Sequence, residues 1–306
     1  MRTLLLAAAA CGVLAAASAS AQTFQFQTLD NPGDPTFNQL LGINDAGTIV
    51  GYFGSGAVGH PNIGYQIAAP YTSYTKVMQP GSTQTQATGI NNAGLMTNFW
   101  APTNLGTGDA NFGSVIEPVG ANFGFVSATD PLTNGVPTVD QALGINNENM
   151  AAGFWVGAKG NAHGFVYNLT TSTYTEIMLP GAKSLSATGI NDNNEVCGFF
   201  TGKSGATVGF VRNATGGVVT HFHVPGTTNT QLLGINNSGV VVGFYQVGNI
   251  THGLYYTPSN GNWLTVDDPN GVQGTVVNGV NNKGQLVGFY TDAAGNVHGM
   301  LVTVTP

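Results

Sequence analysis

The sequence predicts an all-β fold: a six-bladed β-propeller with four-stranded blades, its ring closed by the N-terminal strand. Three observations point there. A segment of the form Gly-Ile-Asn-Asn-x-Gly, followed by Val-Gly-Phe-Tyr, recurs six times, beginning at Gly42, Gly89, Gly144, Gly189, Gly234 and Gly279. The intervals are 47, 55, 45, 45 and 45 residues, the length that four short strands and their turns require. The last copy stops one strand short, while the segment before the first copy reads as a spare fourth strand.

In chain order, residues 1–21 are expected to lie outside the fold. Arg2, the apolar run from Leu4 to Ala17 and the closing Ala19-Ser20-Ala21 read as a secretory signal peptide, the run being too short to span a bilayer. Residues 22–306 are read as a single domain, and the protein as secreted to the periplasm or beyond the cell. Phe24 to Leu29, followed by Asp30-Asn31-Pro32-Gly33, parallels Trp263-Leu264 and Asp267-Asp268-Pro269 of the fifth copy. Residues 22–41 and 279–306 together make up one repeat length. Pairing the first strand with the last blade would remove the exposed edges of an open stack.

Within each repeat the first strand ends at Gly-Ile-Asn and a tight turn follows. The turn's last position favours a left-handed backbone and carries Gly in four copies; Asn149 and Asn194 stand there in the third and fourth. In the fifth copy the second strand is expected over Val240 to Tyr245, the third over His252 to Tyr256 and the fourth over Trp263 to Asp267, before Pro269 breaks the sheet. The second strands end in aromatic pairs: Tyr52-Phe53, Phe99-Trp100, Phe154-Trp155, Phe199-Phe200, Phe244-Tyr245 and Phe289-Tyr290. Alternation sends one ring to each sheet face, and both are expected to be buried between blades as core.

Charge narrows the partners. The 306 residues hold seven Lys and Arg against fourteen Asp and Glu, a net charge of −7, and charged residues are only 7% of the chain. Such a chain lacks the basic clusters that nucleic acid or an anionic membrane surface demands. No membrane insertion is expected, and the protein is read as a monomer. Beyond the leader only Cys197 remains, so no internal disulfide can form. It stands where sister copies carry Val50, Val242 and Val287, which reads as a core position.

The combined signature, Gly-Ile-Asn-Asn-x-Gly, Val-Gly-Phe-Tyr and then His-Gly-Phe about ten residues on, resembles the bacterial extracellular repeats of the HAF family. His163-Gly164-Phe165, His252-Gly253-Leu254 and His298-Gly299-Met300 carry its third element. The resemblance implies a bacterial exported protein and brings no defined activity with it.

No catalytic constellation stands out. Three of the six histidines recur at one repeat position, and each is expected to bond a loop carbonyl rather than a metal. Asp267-Asp268 and Asp192 to Glu195 read as turn formers rather than calcium ligands. No metal site and no cofactor are expected, and hydrolase and nucleotide-binding motifs are absent. The second copy is ten residues longer than the 45-residue copies; eight of the extra residues fall between Trp100 and Gly113 and between Pro131 and Gly144, in loops that open on one propeller face. Three residues before the repeated glycine stand Gln39, Gln86, Gln141 and Gln231, with Ser186 and Val276 in the other two copies. These glutamines are expected to form a polar collar at the channel mouth, with Asp140 beside Gln141. The reading is a binding or interaction module for a glycan or small molecule at that mouth, bounded by the loop from Pro102 to Ala110. Its rival is a hydrolase or lyase with scattered His, Asp and Glu converging there.

Overall fold

The computed structural model describes residues 22–106, 108–119, 122–127, 139–259 and 261–305. The leader read over residues 1–21, and most of the loop leading from Pro131 to the third repeat, lie outside the described residues. Every assigned element among the described residues is a β-strand.

After β1 (Thr23–Thr28) come four strands in sequence, β2 (Asn38–Ile43), β3 (Ile49–Phe53), β4 (Ile63–Ile67) and β5 (Tyr74–Lys76), forming one antiparallel meander. The second repeat gives β6 (Gln84–Ile90), β7 (Met96–Ala101), β8 (Phe112–Val119) and β9 (Asn122–Ser127). The third gives β10 (Asp140–Ile145), β11 (Met150–Val156), β12 (Ala162–Asn168) and β13 (Thr173–Ile177). The fourth gives β14 (Ser184–Ile190), β15 (Glu195–Thr201), β16 (Thr207–Asn213) and β17 (Val219–Phe222). The fifth repeat supplies β18 (Thr230–Ile235), β19 (Val241–Val247), β20 (Ile250–Thr257) and β21 (Asn262–Thr265); the sixth supplies β22 (Gly274–Val280), β23 (Gln285–Thr291) and β24 (Val297–Thr305).

The strands divide into four separate four-stranded sheets and one of eight strands, not into the six separate four-stranded blades expected. One parallel bridge, Thr251 to Gly274, joins β20 to β22 and fuses the last two repeats into a single sheet. β1 pairs antiparallel with β24 over six residues, from Thr23 opposite Thr305 to Thr28 opposite Met300, so the N-terminal strand does complete the last repeat.

The repeated motif residues meet around a central channel. Each first strand carries a register shift just before its motif glycine, between Leu40 and Gly42 in the first repeat and between Val277 and Gly279 in the last. The bulged residue, such as Leu41 or Thr88, then lines a channel cavity of about 150 Å³ beside the glycine and the following Ile. A Cβ on Gly42 would lie 2.8 Å from the Cα of Gly89, and one on Gly144 equally close to Gly189. Neighbouring first strands approach too closely at this level for any side chain, which is why the motif begins with glycine. The turn positions behave as the sequence predicts: Gly47, Gly94, Gly239 and Gly284 have φ between 75° and 85°, and Asn149 and Asn194 have φ of 59° and 57°.

The core lies between sheets, built from aliphatic residues on the second strands, such as Ile49, Val196 and Leu286, and from third-strand residues that include Tyr65, Phe165, Phe210 and Leu254. The aromatic pairs contribute less to it than expected. Only Tyr52, Phe200 and Tyr290 among them are buried, because the pairs sit where the second strands emerge towards the loops. Cys197 is fully buried in the core beside Leu232 and Val241, and burial pushes its thiol up to about 12.

Candidate functional site

Asparagines stand at one end of the first strands and glutamines at the other, and the two sets differ in how their side chains are tied. At the end where the first strands finish, Asn44, Asn91, Asn146, Asn191, Asn236 and Asn281 form a closed circuit. The Nδ2 of each donates to the backbone carbonyl of the next, from Asn44 to Asn91 at 3.1 Å and so around to Asn281, which donates to Asn44 at 3.0 Å. The Oδ1 of each accepts two N–H groups of its own turn, as Asn236 does from Ser238 and Val240. Each of these side chains thus both closes its own turn and ties its repeat to the next.

One residue on, a second circuit runs beside the first. The backbone N–H of Asp45 donates to Asn92 Oδ1, and the same link repeats through Asn147, Asp192, Asn237 and Asn282 back to Asp45. Asp45 and Asp192 each also accept side-chain amides from both neighbours, at 2.7–3.0 Å. Partial burial alone would raise both carboxyls, but these donors outweigh it and hold both below the ordinary range. The two circuits enclose a polar cavity of about 70 Å³. Their amides are consumed in holding repeats together, which makes this end a fastening rather than a recognition surface.

The glutamines lie at the other end of the same strands. Gln39, Gln86, Gln141 and Gln231 stand directly opposite Tyr52, Phe99, Phe154 and Phe244, so an amide and an aromatic ring adjoin in four repeats. Three of the amides are tied locally: Gln39 Oε1 accepts from the Tyr52 hydroxyl, Gln141 donates to Asn111 Oδ1 and Gln231 to Asn229 Oδ1. No hydrogen bond joins one glutamine to another among the described residues, and none of the four lines the two channel cavities. The continuous collar is therefore the asparagine one, five residues further along. Asp140 is fully buried behind Gln141. The long loop of the second repeat gathers around Asp109, which accepts from the Thr103 hydroxyl, from the Leu105 N–H at 3.0 Å and from Gln84 Nε2 at 3.1 Å.

The recurring histidines do not bond loop carbonyls as expected. Each stacks on the second aromatic of its repeat, directly across the strand pair: His163 on Trp155 at 4.2 Å, His252 on Tyr245 at 5.2 Å and His298 on Tyr290 at 5.1 Å. Each then meets a carboxylate, His163 with Glu176 at 3.1 Å, His252 with Asp267 at 2.7 Å and His298 with Asp30 at 2.7 Å. Asp267 and Asp30 also accept the N–H of the following glycine, Gly253 or Gly299, and so clamp the third strand to the chain that enters the next repeat. Burial would lower His298, but its contacts with Asp30 and with Asp292 at 3.3 Å outweigh that and raise it. Sequence order hid these pairs, since Asp30 and His298 are 268 residues apart. Among the described residues no three His, Cys, Asp or Glu side chains are placed to hold a metal ion.

No protein-family profile and no curated protein matches the chain. Solved structures do resemble it. A putative TolB from Agrobacterium tumefaciens superposes with a TM-score of 0.59 at 10% identity, covering 93% of this chain and 98% of that one. AofleA from Arthrobotrys oligospora gives 0.54 at 9%, covering 92% of both chains. The Hadza microbial sialidase Hz136 gives 0.54 at 7%, covering 88% of this chain and 65% of the sialidase. At these identities the likeness is one of fold, an all-β propeller.

Proposed function

We propose that this chain is an exported propeller of HAF-type repeats that acts as a binding module for neutral glycans, with the ligand at the glutamine-bearing end of the channel. The eight-stranded sheet counts as two blades in this reading, giving six. The bridge that fuses it recurs as isolated parallel pairs at three other joins, Phe37 with Val297, Asn111 with Val139 and Thr207 with Asn229. Among the described residues no helix is long and apolar enough to cross a membrane.

The observation that carries the glycan reading is the fourfold pairing of a glutamine with an aromatic ring at one end of the channel, beside the enlarged loop of the second repeat. Neutral sugars are held by amide donors and acceptors together with apolar ring faces, and function gathers on loops that a rigid scaffold positions. Against catalysis stand the carboxylates Asp30 and Asp267, both committed to a histidine and a backbone N–H.

Mature protein applied to an array of neutral glycans, with a parallel screen of glycoside substrates, tests the reading. Binding without turnover is expected, and Gln86→Ala or Gln141→Ala should each weaken it by about 1 kcal/mol, the scale of one hydrogen bond. Turnover of any substrate, or equal affinity in both variants with the fold intact, overturns it.

A further inference from the structure

Of the three repeats whose third strand opens with histidine, two place an aspartate two residues before the proline that follows the fourth strand, Asp267 and Asp30. The third repeat has Met178 there instead, and its side chain turns outward, 68% exposed. A groove of about 230 Å³ opens at that place between the third and fourth repeats. Glu176 takes over the histidine contact from two residues earlier, and its ring partner is fixed by the near-parallel stack on Trp155, 9° between planes.

The opposite wall carries Lys183. The equivalent position in the other repeats holds Thr36, Thr83, Thr138, Thr228 and Gln273, so this is its one charged instance. Beside it, Ser184 Oγ accepts the Ala162 N–H at 2.9 Å, which leaves its own hydroxyl proton to donate. Arg212 lies alongside, its Nη1 donating to the Met178 carbonyl at 2.8 Å. Four of the six basic residues beyond the leader, Lys159, Lys183, Lys203 and Arg212, fall in these two repeats. A chain with net negative charge thus sets Lys183 and Arg212 at one groove, where two sister repeats carry an internal carboxylate.

We infer that this groove is a second binding site, separate from the channel mouth, for a ligand that brings its own carboxylate together with hydroxyl groups: a uronic acid unit. The carboxylate would meet Lys183 and Ser184, and the hydroxyls would donate to Glu176. Met178 and the neighbouring Leu179 supply the apolar floor.

Titration calorimetry with D-glucuronate and with D-glucose at low ionic strength tests this on the full mature chain. Glucuronate should bind, and glucose, measured in the Gln86→Ala/Gln141→Ala double variant so that the channel mouth does not contribute, should bind at least tenfold more weakly. Lys183→Ala should weaken glucuronate at least fivefold, while Met178→Asp, which restores the internal carboxylate of the sister repeats, should abolish binding and raise the melting temperature. Gln86→Ala should leave glucuronate binding unchanged, so failure at the channel mouth and failure here are read separately. Absence of glucuronate binding, equal binding of glucose, or unchanged affinity in both Lys183→Ala and Met178→Asp overturns the assignment.

Discussion

Replacing Asn236 with alanine removes one link of the inner circuit and should cost stability well beyond an ordinary turn substitution. Asn236 is buried, and three bonds go with its side chain: the two N–H groups of Ser238 and Val240, each at 3.0 Å, and the Asn281 carbonyl at 3.1 Å. At roughly 1 kcal/mol net for each neutral hydrogen bond the loss is about 3 kcal/mol. For a chain of this size that corresponds to a fall in melting temperature of roughly 6–12 °C. Asn236→Asp keeps both acceptor bonds but sets a carboxylate against the Asn281 carbonyl, so it should also destabilise, by about 1 kcal/mol or more. Ser238→Ala, exposed in the same turn, should stay within about 0.5 kcal/mol of wild type. Urea unfolding followed by tryptophan fluorescence reads all three through the shift in midpoint at constant slope. A loss below about 1 kcal/mol for Asn236→Ala would show that the circuit is a consequence of the fold and not one of its supports.

Two other perturbations follow from the same structure. Because its carboxylate partners raise His298, the folded protein holds that proton more tightly than the unfolded chain; the stabilisation is full below the ordinary histidine value of 6.5 and is lost as pH rises through the raised one. Melting temperature should therefore fall as pH rises above 6.5, and His298→Gln should flatten that fall; an unaltered slope in the variant contradicts the clasp. Gly243→Ala would put a Cβ 1.9 Å from the Gln231 carbonyl oxygen, a backbone clash that should cost at least about 3 kcal/mol in a urea titration, and a near-neutral result would mean the two strands are further apart than described.

The repeat, its period and the left-handed turn positions were legible because they are local: a turn's needs are written in four successive residues. The asparagine circuit was not, although its signal was present. A turn alone tolerates Asp, Ser or Gly at its first position, yet Asn44 and its five counterparts are Asn without exception. Only a role for the amide nitrogen, which Asp lacks, explains that uniformity, and the partner is a carbonyl about one repeat length away. The next position, where a side-chain oxygen receives the backbone N–H, accepts Asp45 and Asp192 among its asparagines. The glutamine position was placed on the right strands, but alternation along a strand could not tell a shared collar from four separate amide–aromatic pairs. The histidine partners were hidden for a simpler reason. Asp30 and His298 come together only when the two ends of the chain meet, and Glu176 replaces an aspartate from a different strand position.

The meeting of the chain ends is also where the architecture is most exposed to test. β1 contributes six paired residues, and Phe24 and Phe26 pack on the core cluster that includes Tyr255 and Val302, with Phe24 edge-on to Tyr255 at 5.9 Å. Two partly buried aromatic rings and the strand's ladder bonds together represent several kcal/mol, at roughly 1.5–3 kcal/mol for each fully buried ring. The decisive measurement compares residues 22–306 with the same chain lacking Thr23 to Leu29, by thermal melting and by sedimentation velocity. A closed ring predicts that the shortened protein melts far lower or aggregates through the bared edge of β24. A soluble monomer with an unchanged melting temperature would contradict it.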